Sequence, residues 1–436
     1  MTRDEPTTNL PPSHIDWLTS ATRVLSRSDV LARYSDTPIG TTRSFLSPAM
    51  HEVNTIVAAW MQEAGMTTCV DEMGNLVGHL PEPSGTSFDG DAVWLIGSHL
   101  DTVPNSGKYD GVLGVLLGIE VVSLLRSYKL PFAVEVIGFS EEEGVRFKTP
   151  YFGSRALAGT FNPSYLDLLD GNGTSMRDAM LAFGLVPEDW YKANFQSRDV
   201  LGYLEIHIEQ GPLLEALDAP LGIVTDIVGQ SRLQLRFRGQ AGHAGTQPMN
   251  LRRDALAAAS EWVLAVEKLG QETDGLVATV GFLNNSPNTP NVVPREVVCT
   301  LDVRHAGDEA REFAVEELLA TAQTIGARRH VAFEVLARSG QEAVPMNALL
   351  RSHLRAACEP LGVLAPEMAS GAGHDAAIMA TLCPCAMLFV RTPGGASHCP
   401  EEAVTLEDVA LALQAMHGFF ERITHQSGEP IESRTF

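Results

Sequence analysis

Four apolar runs in this chain each lead into a short polar stretch carrying a histidine or an acid, and that repeated junction limits the possible folds more than any other feature. Ala92-Val93-Trp94-Leu95-Ile96 leads into Gly97-Ser98-His99-Leu100-Asp101-Thr102, and Ala133 to Phe139 leads into Ser140-Glu141-Glu142-Glu143-Gly144. Leu204, Ile206 and Ile208 alternate with polar residues around His207, and Ala386 to Val390 precedes Gly394-Gly395-Ala396-Ser397-His398. Short apolar runs bounded by turn residues read as strands, the alternating one half-buried with His207 on its polar face. In open α/β sheets, sites form beyond the carboxyl ends of strands, so four such ends are expected to converge.

Taken singly, each of these residues has a plain structural explanation. Asp110, in Lys108-Tyr109-Asp110-Gly111 ahead of a helix-like stretch from Gly114 to Leu125, is placed to cap a helix. Three acids in a row are commonly a solvated turn, and a lone histidine is commonly structural. Taken together, His99, Asp110, Glu143, His207 and His398 fit a paired metal site. Glu141, Glu142 and Glu143 repel one another unless a cation or a proton neutralises them, which points to one ligand beside one proton carrier, with Glu141 facing away or in support. Asp101, two residues past His99 on an extended backbone, is placed to hold the imidazole while the other ring nitrogen binds metal. Nitrogen and oxygen donors suit two divalent ions per subunit, zinc first, with manganese, cobalt or nickel as alternatives.

The 436 residues exceed one core, so two domains are expected. Strand and helix patterns alternate to about residue 210, the pattern of a mostly parallel sheet flanked by helices, with residues 160–200 as an excursion over it. From about residue 229 the pattern changes. Leu233 to Arg238 reads as a strand, Leu251 to Leu269 as a helix, Val277 to Leu283 and Val297 to Val303 as strands, Glu309 to Ile325 as a helix and Val331 to Leu336 as a last strand. That is the β-α-β-β-α-β order of a ferredoxin-like unit. The expected architecture is α/β: a catalytic domain over residues 1–228 and 339–436, with an inserted ferredoxin-like α+β lid at 229–338. In that insert His243, flanked by glycines in Gly242-His243-Ala244-Gly245-Thr246, is poorly placed for a strand interior and is free to reach into a cleft.

A net charge of −23, from 31 basic against 54 acidic residues, disfavours nucleic acid and anionic membranes as partners. Residues 1 to 12 read as a loose tail without the regions of a signal peptide, and no apolar run is long enough to cross a membrane. Six cysteines in so long a chain make no disulfide framework; Cys383-Pro384-Cys385 lacks the spacer of redox and zinc motifs, and Cys399 reads as a small filler beside His398. Reduced thiols imply a cytoplasmic location.

The segments GSHLDT, KYDG, EEEGVRF, FGSRALAG, HIEQGP, GHAGTQPM, PNVVP, DVRH, SGAGHDA and GASHCPEE run in this order from about residue 97 to 402. In these the chain resembles the dinuclear-metal amidohydrolases of the aminoacylase and carboxypeptidase superfamily, in the branch of N-carbamoyl-L-amino acid hydrolases, β-ureidopropionases and allantoate amidohydrolases. The resemblance implies a di-zinc exopeptidase-like fold with a lid that also dimerises. It makes Asp110 a bridging carboxylate, with His99 and His207 completing one metal, Glu143 and His398 the other, and Glu142 the general base. It also implies that His243 stabilises an oxyanion, often across the subunits of a homodimer, that Arg304 anchors the substrate carboxylate, and that Gln210, Asn291 and Gly373 contact substrate. A histidine at 207 favours this branch over the peptidases. Two positions depart from the family's habit, Gln247 for a threonine and Arg391 for a proline, and either is expected to bear on substrate choice. N-carbamoyl-L-amino acids are the first expected substrate and allantoate the alternative; a dipeptidase or aminoacylase, and a non-catalytic metal binder, are the weaker readings.

Overall fold

The computed structural model describes residues 15–82, 92–128 and 130–426. The tail expected at residues 1 to 12 lies outside them. Two compact units divide the chain: Met1–Thr225, Met346–Met368 and His374–Phe436 form the first, and Asp226–Pro345 with Ala369–Gly373 the second. No helix among the described residues is long and apolar enough to cross a membrane.

In the first unit the strands lie in the order Thr67–Val70, Leu76–Leu80, Ala133–Phe139, Val93–His99, Val200–Ile208, Cys385–Val390 and then Leu221–Ile227. The four from Ala133–Phe139 to Cys385–Val390 run parallel, while Leu76–Leu80 and Leu221–Ile227 join them antiparallel. Parallel strands are covered on both faces, so Val93–His99 and Ala133–Phe139 are buried at every position. Val200–Ile208 departs from the half-buried strand expected of its alternation, because it is buried everywhere but at Leu201. It lies between two parallel neighbours at the sheet centre, so the face carrying Tyr203, Glu205 and His207 looks into protein rather than water.

The helix Val112–Leu125 is apolar but for Glu120 and Ser123 and is almost wholly buried, as a helix sandwiched in a core must be. Gly114 permits its close approach, since a Cβ there would lie 2.1 Å from the carbonyl oxygen of Ile206. Helices Trp17–Leu31, Ala348–Cys358 and Leu406–Gln426 join it around Ile96, Val136, Leu204 and Leu388. Each such side chain contributes ~1.5–3 kcal/mol by leaving water. The excursion at 160–200 has its own cluster, in which Phe161, Leu166, Met176 and Met180 pack with Phe45, Phe147 and Phe152.

The second unit is an antiparallel sheet in the order Leu283–Ser286, Glu296–His305, Gly229–Arg238, Ala332–Gln341. Alternate residues of Gly229–Arg238 and Glu296–His305 point into a core shared with the helices Ala255–Glu272 and Asp308–Arg329, around Phe237, Trp262 and Leu318. Where one strand was expected from Val277 to Leu283 there are two, Val277–Thr279 and Leu283–Ser286, both paired to Glu296–His305. Gly281 sits in the break, where a residue without a side chain weakens a strand.

Candidate metal and active site

Because the four central strands run parallel, their carboxyl ends fall along one edge of the sheet. His99 ends the first of these strands in sequence, His207 lies one residue from the end of another, Glu141 to Glu143 follow Phe139, and His398 follows Val390 by way of the turn Pro393–Gly395.

The two buried imidazoles are oriented by main-chain oxygens. His99 Nδ1 lies 2.9 Å from the carbonyl of Asp101, and His207 Nδ1 2.9 Å from that of Ile208. A carbonyl only accepts, so both rings carry a proton on Nδ1, and in the neutral tautomer each Nε2 offers a lone pair. Those Nε2 atoms are 3.5 Å apart. Asp110 Oδ1 lies 3.1 Å from the Nε2 of His207 and 3.6 Å from that of His99. Its other oxygen, Oδ2, is 3.2 Å from His398 Nε2, which is 3.8 Å from Glu143 Oε1. Two lone pairs and a carboxylate turned on one point repel unless something positive lies among them. Burial works against charge throughout, yet hydrogen bonds to Asp101 and Asp110 draw His99 well above its usual value, and the imidazoles of His207, His398 and His99 hold Asp110 well below its own.

The donor set fits divalent metal. Among the described residues, four trios of potential ligands have atoms within 4.8 Å of one another, and two of them, His99–Asp110–His207 and Asp110–Glu143–His398, share Asp110. Asp110 Oδ1 and Glu143 Oε1 are buried without a hydrogen-bond partner among the described residues. The helix-capping alternative for Asp110 is not the one realised: the cap of Val112–Leu125 is Gly111, which makes no side-chain bond. Gly111 has a φ of 66°, and a Cβ there would lie 2.4 Å from the His99 ring.

Asp101 meets His99 Nδ1 through its carbonyl, at 2.9 Å, and its carboxylate, at 3.4 Å, and the carboxylate also accepts the backbone N–H groups of Glu142 and Glu143 at 3.0 and 3.1 Å. The chain bends at Asp101, so its side chain meets the next strand's loop and ties two strand ends together. Glu141 is fully buried and accepts from Val145 N, so it fastens the same turn. Burial, reinforced by Glu143, Asp375 and Asp101 and opposed by His99, pushes Glu142 well above the usual carboxylate range. Burial likewise raises Glu143 to about 7. Gln210, at a φ of 59°, donates its amide to Asp110 Oδ2 at 3.0 Å and lies 3.4 Å from His398 Nε2.

The remaining candidates are carried by the second unit. His243 is not outside regular structure as its glycine neighbours implied: Gly242–His243 forms a two-residue strand with Val292–Val293, leaving the ring exposed. Its loop is fastened to Asn291, whose carbonyl accepts from Ala244 N at 2.9 Å. Arg304 grips both carboxylate oxygens of Asp302, at 2.9 and 3.1 Å, and donates to Gly371 O at 2.6 Å. It lines a cavity of about 560 Å³ with Arg232, Val277 and Leu301. Gly373 ends the short segment Ala369–Gly373. Gln247 packs beneath Gly242 and donates to Leu251 O. Arg391, back in the first unit, has its guanidinium bound at 2.9 Å to each oxygen of Asp408.

Several buried polar residues next to this cluster were not singled out from sequence. Glu402 accepts the backbone N–H groups of Tyr109 and Asp110, and burial raises it to about 7. His374 lies edge-on against His207 with ring centres 4.5 Å apart. Ser154 of FGSRALAG donates to Asp375 of SGAGHDA at 2.6 Å. The only advance signal was that all three acids and histidines sit inside the recurring segments.

Known proteins resemble this chain over most of its length. It is 37% identical over 380 residues to an N-carbamoyl-L-amino acid amidohydrolase of Geobacillus stearothermophilus, spanning 87% of this chain and 92% of that one. It is 36% identical over 430 residues to an allantoate deiminase of Arabidopsis thaliana, spanning 91% and 81% respectively. The crystal structure of an amidase of the hydantoinase/carbamoylase family from Burkholderia multivorans superposes with a TM-score of 0.86 at 31% identity, covering 94% of this chain and 98% of that one. With its residues 95–422 matching the family model as well, the chain belongs to peptidase family M20/M25/M40.

Proposed function

We propose that this protein hydrolyses a linear ureido carbon–nitrogen bond in a small carboxylate substrate, an N-carbamoyl-L-amino acid first, giving the amino acid, ammonia and carbon dioxide. The observation that carries the reading is the pair of imidazole Nε2 atoms, His99 and His207, turned toward Asp110 and only 3.5 Å apart. In this reading His99, His207 and Asp110 hold one divalent ion and Asp110, Glu143 and His398 a second, zinc first, with manganese, cobalt or nickel as alternatives. Such ions, when bound, acidify a water and polarise the ureido carbonyl.

The chain's own residues do the rest. Glu142 takes the proton from the attacking water and returns it to the leaving nitrogen, and its burial gives it the proton affinity that task needs. Asp101 keeps Glu142 and Glu143 in register with His99 through its two backbone contacts. His243 donates to the oxygen that becomes negative in the transition state. Arg304 already holds a carboxylate, that of Asp302, in the paired form a substrate carboxylate would take. Gln210, Asn291 and Gly373 complete the substrate contacts. The reading extends to a cytoplasmic homodimer in which His243 and Asn291 act across subunits, supported by the exposure of both, His243 on the two-residue ladder and Asn291 directly before its partner strand.

Allantoate is the second substrate, supported by the likeness to a plant allantoate deiminase and by a residue set that serves either molecule. The deciding experiment is ammonia release by metal-reconstituted protein from N-carbamoyl-L-amino acids, allantoate and dipeptides, with and without chelator. Chelator-sensitive ammonia from one ureido class selects the substrate. Dipeptide cleavage without ammonia would replace the reading with a peptidase, and full metal occupancy with no turnover would replace it with a silent metal binder.

A further inference from the structure

Five residues after the last strand's turn carry two grips on the same aspartate. His398 presents Nε2 to Asp110 Oδ2 at 3.2 Å, and Glu402 presents Oε1 to the Asp110 backbone N–H at 3.0 Å and to that of Tyr109 at 2.8 Å. The two are joined by one tight turn, closed by Glu402 N donating to Cys399 O at 3.2 Å, with His398 in the left-handed region at a φ of 57°. Glu402 is 4% exposed; among the described residues no positive side chain is hydrogen-bonded to it, and its other oxygen, Oε2, is buried without a partner. Burying a carboxyl group on two neutral backbone donors is costly. The packing around it is equally specific, because a Cβ on Gly107 would lie 2.4 Å from that of Glu402.

We propose that Glu402 is a positioning residue that locks the backbone of Asp110 to the turn bearing His398, so that the shared carboxylate and the last imidazole keep one geometry. The proposal rests on the reading of Asp110 and His398 as metal ligands. Its physical basis is that outer groups fixing a ligand's orientation typically alter metal affinity by ~10–100-fold. Because a single oxygen accepts both N–H groups, the amide oxygen of glutamine can replace it, whereas alanine cannot.

The test uses the full chain as Glu402→Ala, Glu402→Gln, Gly107→Ala and Asp110→Ala, with zinc affinity and stoichiometry by calorimetry, steady-state kinetics and melting of the metal-stripped proteins. Glu402→Ala is expected to weaken zinc ~10–100-fold and to lower kcat with KM changed less than about threefold. Glu402→Gln is expected to restore zinc affinity to within about threefold of the parent, and Gly107→Ala, which displaces the Glu402 side chain, to weaken zinc in the same direction as Glu402→Ala. Parental zinc affinity in Glu402→Ala overturns the proposal, and so does a Glu402→Gln protein as impaired as the alanine variant, since charge rather than an acceptor at that point would then be operative. If Glu402→Ala does not fold, parental affinity in Gly107→Ala overturns it instead. Asp110→Ala separates the two levels: if that protein still binds two ions, the metal-site reading itself is wrong whatever Glu402 does.

Discussion

Most candidate residues of the first unit are held in the opposite way to those of the second, with the half-exposed His398 as the exception. His99, Asp110 and His207 are almost fully buried, and each is fixed by at least one contact from another strand end or from the main chain. His243 and Asn291 are exposed, and Arg304 is half-buried with its guanidinium bound to a neighbour on its own strand. The first group is over-determined by the fold and the second is presented by it. The physical lesson is that substitutions in the first should remove the metal and the reaction together, whereas those in the second should separate binding from turnover.

Asp110→Ala tests the first half most severely. Loss of the carboxylate shared by two trios is expected to remove both ions and to cut kcat by ~10⁴-fold or more, equivalent to ~5.5 kcal/mol of transition-state stabilisation. Retained metal with modest kinetic loss would put the burial argument at fault. Glu142→Gln comes next and sharpens it. The variant keeps nearly the same shape and its backbone N–H still donates to the Asp101 carboxylate, so metal should stay bound while kcat falls ~10²–10⁴-fold. Near-normal turnover would exclude Glu142 as the proton carrier.

This contrast also marks what could be read from the sequence. The four strand ends were legible because each apolar or alternating run gives way to a conspicuous polar residue; the sheet converts those four separate positions into one edge without further information. The ferredoxin-like order was legible for the same reason, through alternation in Gly229–Arg238 and Glu296–His305. The alternation around His207 misled, because period two reports that one face is polar and not whether that face meets water. The ties from Asp101 to the next loop, and Glu402 altogether, were missed because these contacts are to backbone N–H groups, which every residue possesses and no pattern reveals. The ion pair of Arg391 was not legible either: its partner Asp408 lies on another element, and only the fold brings the pair together.

The second unit is probed by two smaller effects. His243→Ala is expected to lower kcat ~10²–10³-fold with both ions still bound, the signature of a lost oxyanion donor. Simultaneous loss of metal would mean that the two groups of residues are not separable after all. Arg304→Lys keeps the charge but not the fork of two parallel donors, so KM for carboxylate substrates is expected to rise ~10-fold with kcat little altered. An equal loss for an analogue without the carboxylate would restrict Arg304 to its pairing with Asp302.

Arg391→Ala should have the smallest effect, and it tests whether a residue just past a site-forming strand is thereby part of the site. Arg391 directly follows Cys385–Val390, yet its side chain turns to Asp408 in the first turn of Leu406–Gln426 and to Asp218. Asp408 is 1% exposed, so removing the guanidinium strands a buried carboxylate whose compensation is a favourable position near a helix N-terminus. A cost of ~1–2 kcal/mol follows, seen as a Tm lowered by ~2–4 °C, because the pair is partly open to solvent. Turnover and KM across the ureido panel should stay within about twofold, since none of these contacts touches Asp110, Glu142 or the histidines. A shift in preference between N-carbamoyl-L-amino acids and allantoate at unchanged Tm would reverse the assignment, making Arg391 a residue of substrate choice whose ion pair with Asp408 is incidental.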